Sequence, residues 1–421
     1  MIDKRLFTPV LIGGCLILLL NFALRASFGV FQIPVADSFG WPREVFSLAI
    51  AIQNLTWGLG QPLFGALGER FGDRLAIILG VLAYAAGLVL TGLATTPGGM
   101  HMAQAVVGFG IAGTGFGVIL AVVGRATSDK NRSLALGIAT AAGSAGQVVG
   151  APLAQTLMNF MPWQQVFFVF AGIIMLCLLF LPMLRSGPRP ASRAELEESM
   201  GTVLKRAIRD PSYLMIFAGF FSCGYQLSFI TAHFPAMVTE MCGPINPAGL
   251  LASLGVTSTA SLGAWAVGLI GLANIGGSIL AGWLGNHFPK KYLLAGIYTL
   301  RTIFAAAFIL MPMTPASVVL FSLGMGALWL ATVPLTSGLV AHIYGLRYMG
   351  TLYGVIFLSH QLGSALGVWL GGVFYDRFND YNAVWWVGVG VGAFSALIHL
   401  PIREDRDRDE GGTPALTLRT A

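Results

Sequence analysis

Arg25 and Arg301 are the two cations of this 421-residue chain that fall well inside long apolar runs, and no Asp or Glu shares their depth. Asp37, Glu44, Glu240, Asp376 and Asp380 lie at one set of run ends, and Glu69, Asp73, Asp129 and Asp210 at the other. An ionised side chain in hydrocarbon costs at least about 2.5–3.5 kcal/mol, so one that persists faces a water-filled cavity or a partner. A cavity wall with fixed positive charge and no counter-carboxylate attracts an anion. A planar guanidinium can grip a carboxylate through two parallel hydrogen bonds, which supplies direction as well as charge. Asn21, Arg25 and Gln32 stand at i, i+4 and i+11 on one helical face, a polar stripe that marks a cavity. Arg25 is the expected substrate anchor.

A second stripe carries a titratable group. Ser222, Gln226 and His233 repeat the i, i+4, i+11 spacing, and His360 stands in another apolar run beside Ser359 and Ser364. Histidine changes charge near physiological pH, so His233 first and His360 second are the expected proton carriers. Asn54, Trp57 and Asn274 are further candidates for binding a substrate oxygen or walling the site, although such amides also serve as interhelical contacts. The cysteines Cys15, Cys177, Cys223 and Cys242 are scattered, and neither a metal site nor a disulfide framework follows from them. The glycine clusters at 108–115 lie in apolar helix with no strand before them, so they are not phosphate loops. No cofactor and no nucleic-acid partner is expected.

The surrounding sequence places these groups in a membrane. Hydrophobic residues make up 56% of the chain and charged residues 10%, whereas a water-facing shell needs roughly a quarter charged. Apolar stretches of about 20 residues between turn signals predict helices near 7–33, 44–68, 74–94, 99–125, 132–157, 164–184, 212–240, 259–284, 291–311, 316–341, 348–374 and 383–401. That is an all-α integral membrane protein of twelve transmembrane helices. Arg43 and Arg377 are the only basic residues of the segments assigned to the outside, an imbalance that puts both termini in the cytoplasm. The expected organisation is an N-terminal six-helix bundle (1–184), a flexible cytoplasmic linker (185–211), a second bundle (212–401) and a solvated cytoplasmic tail (402–421).

The halves echo each other. The decapeptide Gly65-Ala66-Leu67-Gly68-Glu69-Arg70-Phe71-Gly72-Asp73-Arg74 returns 217 residues later as Gly282-Trp283-Leu284-Gly285-Asn286-His287-Phe288-Pro289-Lys290-Lys291. This repeat pairs Trp57 with Asn274. Ser27-Phe28 with Pro34 likewise matches Ser228-Phe229 with Pro235, pairing Arg25 with Gln226 and Gln32 with His233. Repeats of this kind place a substrate site at the midplane between two bundles that rock for alternating access.

The decapeptide resembles the loop signature G-x-L-x-D-R-x-G-x-R of the major facilitator superfamily, with Glu69 in place of Asp. The resemblance implies a cytoplasmic gate latch built from Gly65, Glu69, Arg70, Gly72 and Arg74. It also implies that Arg301, in a helix usually kept at the bundle periphery, is structural. More narrowly, Arg132-Ser133-Leu134-Ala135 through Gly143 is similar to the segment entering the fifth helix of monocarboxylate and oxalate/formate transporters. In those transporters a first-helix cation stands next to a stretch like Ser27-Phe28-Gly29-Val30-Phe31. Asn274 and Ser278 depart from the Asp and Arg that animal monocarboxylate carriers hold in the eighth helix.

The function expected is secondary active transport of a small mono- or dicarboxylate across a cell membrane, a bacterial inner membrane, with protons or by exchange. The chain is expected to work as a monomer. Enzymatic catalysis has no support in the motifs. The competing expectation, a drug or cation/proton antiporter, is disfavoured by the missing intramembrane carboxylate.

Overall fold

In hydrocarbon every backbone N–H and C=O needs an internal partner, so long apolar runs become helices. The structure, a computed structural model, describes residues 6–128, 130–184 and 199–404, and its regular elements are all helical. Ten helical runs are long and apolar enough to span a bilayer: α1 (Pro9–Phe39), α3 (Asp73–Leu93), α4 (Pro97–Ala126), α5 (Arg132–Met158), α6 (Trp163–Met183), α7 (Pro211–Met241), α8 (Thr259–His287), α9 (Lys290–Leu310), α10 (Pro315–Tyr344) and α11 (Met349–Phe378). The more polar α2 (Arg43–Phe71) and the shorter α12 (Asn382–Ile398) complete two sets of six. Several begin on a side-chain cap followed by proline at the first turn, as with Thr8, Thr96, Asp210 and Thr314, whose oxygens accept from the backbone N–H two or three residues on. Large apolar side chains such as Leu59, Leu63, Leu82, Leu310 and Leu397 remain exposed on the outside, as in a surface made for lipid.

Three of these runs are interrupted. α1 passes through a tight 3-10 turn at Phe28–Phe31, α4 breaks at Gly115, and α10 breaks between Leu328 and Thr332. α4 and α10 occupy corresponding places in the two halves, and backbone freed from its ladder at membrane depth is tolerated where it lines a cavity.

Close helix contacts depend on glycine. Gly65 of α2 packs on Gly350 of α11, where an added Cβ would stand 2.7 Å from the Gly350 carbonyl carbon. Its repeat counterpart Gly282 of α8 packs on α5, where an added Cβ would stand 3.0 Å from the Gly137 Cα. α2 thus meets α11, and α8 meets α5, across the divide between the bundles. Within the second bundle, Gly224 of α7 lies directly on the His360 carbonyl oxygen of α11, and a Cβ there would overlap it. Gly224→Ala is therefore expected to destabilise the protein by about 1–3 kcal/mol. In detergent this variant should show a lower unfolding temperature, whereas the exposed Gly296→Ala, with open space around it, should not.

The linker differs from the expected flexible connector. Residues 200–209 form a helix, Met200–Arg209, capped by Ser199. Val203 and Ala207 are buried on one side while Lys205, Arg206 and Arg209 face outward, so the segment has enough apolar stripe to fold against the bundles. The expectations for residues 185–198, and for the tail beyond residue 404, lie outside the described residues.

Candidate functional site

Arg25 closes the last regular turn of α1, just before the break, and is only 7% exposed. Its Nη2 donates to Asn54 Oδ1 at 3.0 Å and to Ser228 Oγ at 3.5 Å, and its guanidinium carbon lies 5.8 Å from the centre of the Trp57 ring. Asn54 is held in turn by its own Nδ2, which donates to the Ile50 carbonyl at 3.0 Å. All of these partners are neutral, and Arg25 Nε has none. The side chain borders a cavity of about 40 Å³ between the bundles, lined from the first by Phe22, Trp57, Phe116 and Gln147 and from the second by Ser228, Thr231, Trp329, Phe357 and His360. No carboxylate is in that lining.

The two histidines occupy different surroundings. His360 borders the cavity, stacked on Phe357 with ring centres 4.9 Å apart. Its Nδ1 is 3.4 Å from Ser364 Oγ and its Nε2 has no partner. His233 is fully buried outside the lining, with Nε2 2.7 Å from the Val368 carbonyl and Nδ1 3.3 Å from Gln32 Nε2. That pattern suits one neutral tautomer: Nε2–H donates to the carbonyl and Nδ1 accepts from the amide. Gln32 also donates to Ser47 Oγ at 3.2 Å. The repeat counterparts Gln32 and His233 thus touch each other across the two bundles, and neither is in the lining of Arg25's pocket.

The helix breaks are tended by another repeat pair. Trp57 of α2 packs against the α4 break, where a Cβ on Gly115 would stand 3.2 Å from the indole nitrogen. Its counterpart Asn274 of α8 serves the α10 break: Oδ1 accepts from the freed Leu330 N–H at 2.9 Å and from Ser278 Oγ at 3.1 Å. Asn274 Nδ2 donates to Ser144 Oγ of α5 at 2.6 Å. Asn274 therefore ties α8, α10 and α5 together and is not in the cavity lining.

Both ends of the cavity are bridged by one helix pair. At the end of α2, Glu69 Oε2 accepts from the Thr351 hydroxyl at 2.6 Å and Oε1 from the Thr351 backbone N–H at 3.2 Å, capping the N-terminus of α11 from the other bundle. At the opposite face, Asp376 near the end of α11 accepts from the Glu44 N–H at 2.8 Å, capping the N-terminus of α2. α2 and α11 cap each other reciprocally. Beside the second cap, Arg43 pairs with Glu240 of α7, lies 4.0 Å from the Tyr375 ring centre and donates to Tyr381 Oη at 3.3 Å. The remaining motif residues act within the first bundle. Arg74 donates to the Pro182 carbonyl at 3.3 Å, Asp73 pairs with Arg125 at 2.6 Å, and Arg70 leans on the Phe71 ring. Gly72 has φ +104°, a conformation that only glycine adopts without strain.

Of the residues singled out in the sequence, the structure brings Arg25, Asn54, Trp57 and His360 together. Gln226 donates to the Gly388 carbonyl at 2.8 Å on α12, and Asn21 is fully buried without a hydrogen-bond partner and outside the lining. Gln147, Ser228 and Thr231 line the cavity without having been singled out. Gln147 carries a sequence signal, as the lone amide in the small-residue stretch 137–151. Ser228 carries only its place in the repeat.

Comparison with known proteins is consistent with this geometry. A family model described as Major Facilitator Superfamily matches residues 14–368 and 236–419. The chain is 26% identical to the "Uncharacterized MFS-type transporter YcxA" of Bacillus subtilis (strain 168), covering 90% of each chain. It is 26% identical to "Monocarboxylate transporter 13" of Bos taurus, over 91% of this chain and 86% of that one. It is also 28% identical to "Multidrug resistance protein MdtH" of Aeromonas salmonicida (strain A449), over 86% and 87%. Among solved structures, that of FucP, a major facilitator transporter in the outward conformation, superposes with a TM-score of 0.66 at 13% identity, covering 94% of this chain and 99% of that one, a likeness of fold.

Proposed function

This chain belongs to the Major Facilitator Superfamily, and on that premise we propose that it is a secondary transporter of a small organic anion, a mono- or dicarboxylate, working by alternating access. One observation carries the reading: a buried arginine borders the space between the bundles with neutral partners, an unbonded N–H and no carboxylate in the lining. A buried charge without a counter-ion is costly, and a carboxylate arriving from water removes that cost through charge-assisted hydrogen bonds. The cavity holds roughly three waters' worth of space, which favours a small ligand. The orientation with both termini in the cytoplasm rests on the basic residues of the loops, and the bacterial relative supports a bacterial inner membrane.

The likeness to a multidrug resistance protein supports a second reading, export of apolar compounds, in keeping with the aromatic lining of Phe22, Trp57, Phe116, Trp329 and Phe357. The absence of a carboxylate from the lining disfavours a cationic substrate. A thermal-shift screen of purified protein against small carboxylates and lipophilic cations separates the two, because a ligand of the folded state raises its stability. Stabilisation by carboxylates supports the proposal, and stabilisation by cations alone overturns it.

In this reading the reciprocal caps of α2 and α11 are the two gates. Glu69→Gln removes the charge that closes the cytoplasmic face, and Asp376→Asn removes the charge that closes the external one. Each is expected to slow turnover about tenfold while shifting substrate affinity by less than about threefold, since neither carboxylate borders the cavity. Uptake rates and equilibrium binding on the same preparations check this. Equal losses in both would place these carboxylates in the binding site.

A further inference from the structure

We infer that Arg301 is a second anion anchor of the same translocation site, so that the preferred substrate carries two carboxylates. The inference rests on the transporter reading of the Arg25 cavity. Arg301 lies in the middle of α9 and is 0% exposed. Its Nη1 donates to the Cys223 sulfur at 3.3 Å and its guanidinium carbon lies 5.6 Å from the Tyr298 ring centre, while Nε and Nη2 have no partner. Cys223 is shared with the Thr332 hydroxyl at 3.3 Å, and Tyr298 and Tyr353 are fully buried nearby. The groups shown around Arg301 are therefore neutral S–H and O–H groups, and among the described residues no carboxylate forms an ion pair with it.

Arg125 shows how this chain treats a buried arginine that serves structure. It is buried to a similar degree, 8% exposed, and pairs with Asp73 at 2.6 Å. Arg25 and Arg301 share the other pattern: buried, and hydrogen-bonded only to neutral groups. An intramembrane charge kept without a counter-ion is the signature of a site whose counter-ion is the ligand.

His360 connects the two arginines. It borders the cavity with Arg25, its Nε2 is unbonded, and its carbonyl oxygen packs on Gly224, next to the Cys223 that Arg301 bonds. Thr332, bonded to Cys223, sits between the cavity-lining residues Leu330 and Val333 at the α10 break. Cys223 and Thr332 thus link Arg301 to the irregular segment that borders the cavity. A ligand with a carboxylate at each end would engage Arg25 in the first bundle and Arg301 in the second. Binding would then hold the bundles together, and each carboxylate would satisfy one buried cation.

The test compares succinate with butyrate, acids of the same chain length, by equilibrium binding to the purified full-length protein. Wild type is expected to bind succinate at least about tenfold more tightly, a difference of one charge-assisted contact. Arg301→Gln should lose succinate affinity about tenfold more than butyrate affinity, and Arg301→Lys should keep part of the preference. Arg25→Gln should lose both acids. Equal affinity for the two acids in wild type, or an equal loss of both in a folded Arg301→Gln protein, overturns the inference and leaves the carboxylate reading standing. If Arg301→Gln does not fold, the Arg301→Lys preference decides: a ratio unchanged from wild type counts against the inference and a reduced one supports it. Butyrate binding that rises with added chloride to the level of succinate would assign Arg301 to an inorganic co-ion and overturn it too. Binding of neither acid by wild type removes the transporter reading itself.

Discussion

Arg25→Gln is expected to reduce anion binding and transport by about two orders of magnitude or more while leaving the protein folded. Truncating one partner of a desolvated, hydrogen-bonded charge pair costs about 2–5 kcal/mol, and each 1.4 kcal/mol is a factor of ten. Arg25 meets the conditions for the upper part of that range, being 7% exposed and held in place by Asn54 and Ser228. The fold does not depend on the charge, because no acidic side chain is bonded to it and an amide can still reach Asn54. Arg25→Lys should recover only a small part of the activity, since an ammonium lacks the planar fork that matches a carboxylate. Asn54→Ala should do less than either, loosening the guanidinium without removing it. Thermal shift with the best-stabilising carboxylate and uptake into proteoliposomes measure both quantities, and full-strength binding in a well-folded Arg25→Gln protein would exclude the proposed anchor.

Arg25 was legible because depth in an apolar run and the lack of a nearby acid are properties of the sequence itself. The helices were legible for the same reason, with the polar α2 found by its neighbours and by its repeat counterpart. Which side of α7 meets the cavity was not legible. The stripe Ser222, Gln226 and His233 has the right period, yet Gln226 and His233 bond to carbonyls of α12 and α11, and Ser228 and Thr231 face the cavity instead. Between helices in lipid, a polar side chain is equally at home against a neighbouring backbone or in a pocket, so periodicity gives a face without saying what it faces. The α10 break was hidden for another reason. Its one breaker, Pro334, cannot donate to the Leu330 carbonyl but stands beyond the break, and the N–H freed at Leu330 is satisfied by Asn274, 56 residues away. Arg301 is expected to be structural from the usual place of its helix, and its side chain runs inward to Cys223 of α7.

Reciprocal capping of α2 and α11 gives alternating access a simple physical form. Two carboxylates, Glu69 and Asp376, sit at opposite ends of one antiparallel pair, each on an N-terminus of the other bundle. Rocking the bundles open at one face breaks one cap and spares the other, so the two open states differ by one capping interaction each. The state seen here keeps both caps. A ligand that pulls the bundles together across the cavity favours this state, and breaking one cap then decides the side of release.

The second large effect is expected at His360, in coupling. Its unbonded Nε2 and its place in the cavity lining with Arg25 leave room for a second proton, whereas both ring nitrogens of His233 are engaged as a neutral imidazole requires. Protonating His360 places a second positive charge at the cavity that Arg25 also borders, with no acidic group among the lining residues. A bound carboxylate compensates that charge. Proton and anion therefore favour each other's binding, and by linkage the effect is reciprocal. The sign follows: anion affinity should strengthen as pH falls, by at most about tenfold per pH unit for one coupled proton. His360→Gln should flatten that dependence and abolish accumulation driven by a proton gradient, while counterflow exchange of anion for anion survives. His233→Gln can keep a hydrogen bond to the Val368 carbonyl and should leave coupling intact. Gradient-driven uptake and counterflow in proteoliposomes, measured for both variants, decide the matter: loss of coupling in His233→Gln alone returns the proton to α7, and loss in neither leaves it on the substrate's own carboxylate or makes the protein an exchanger.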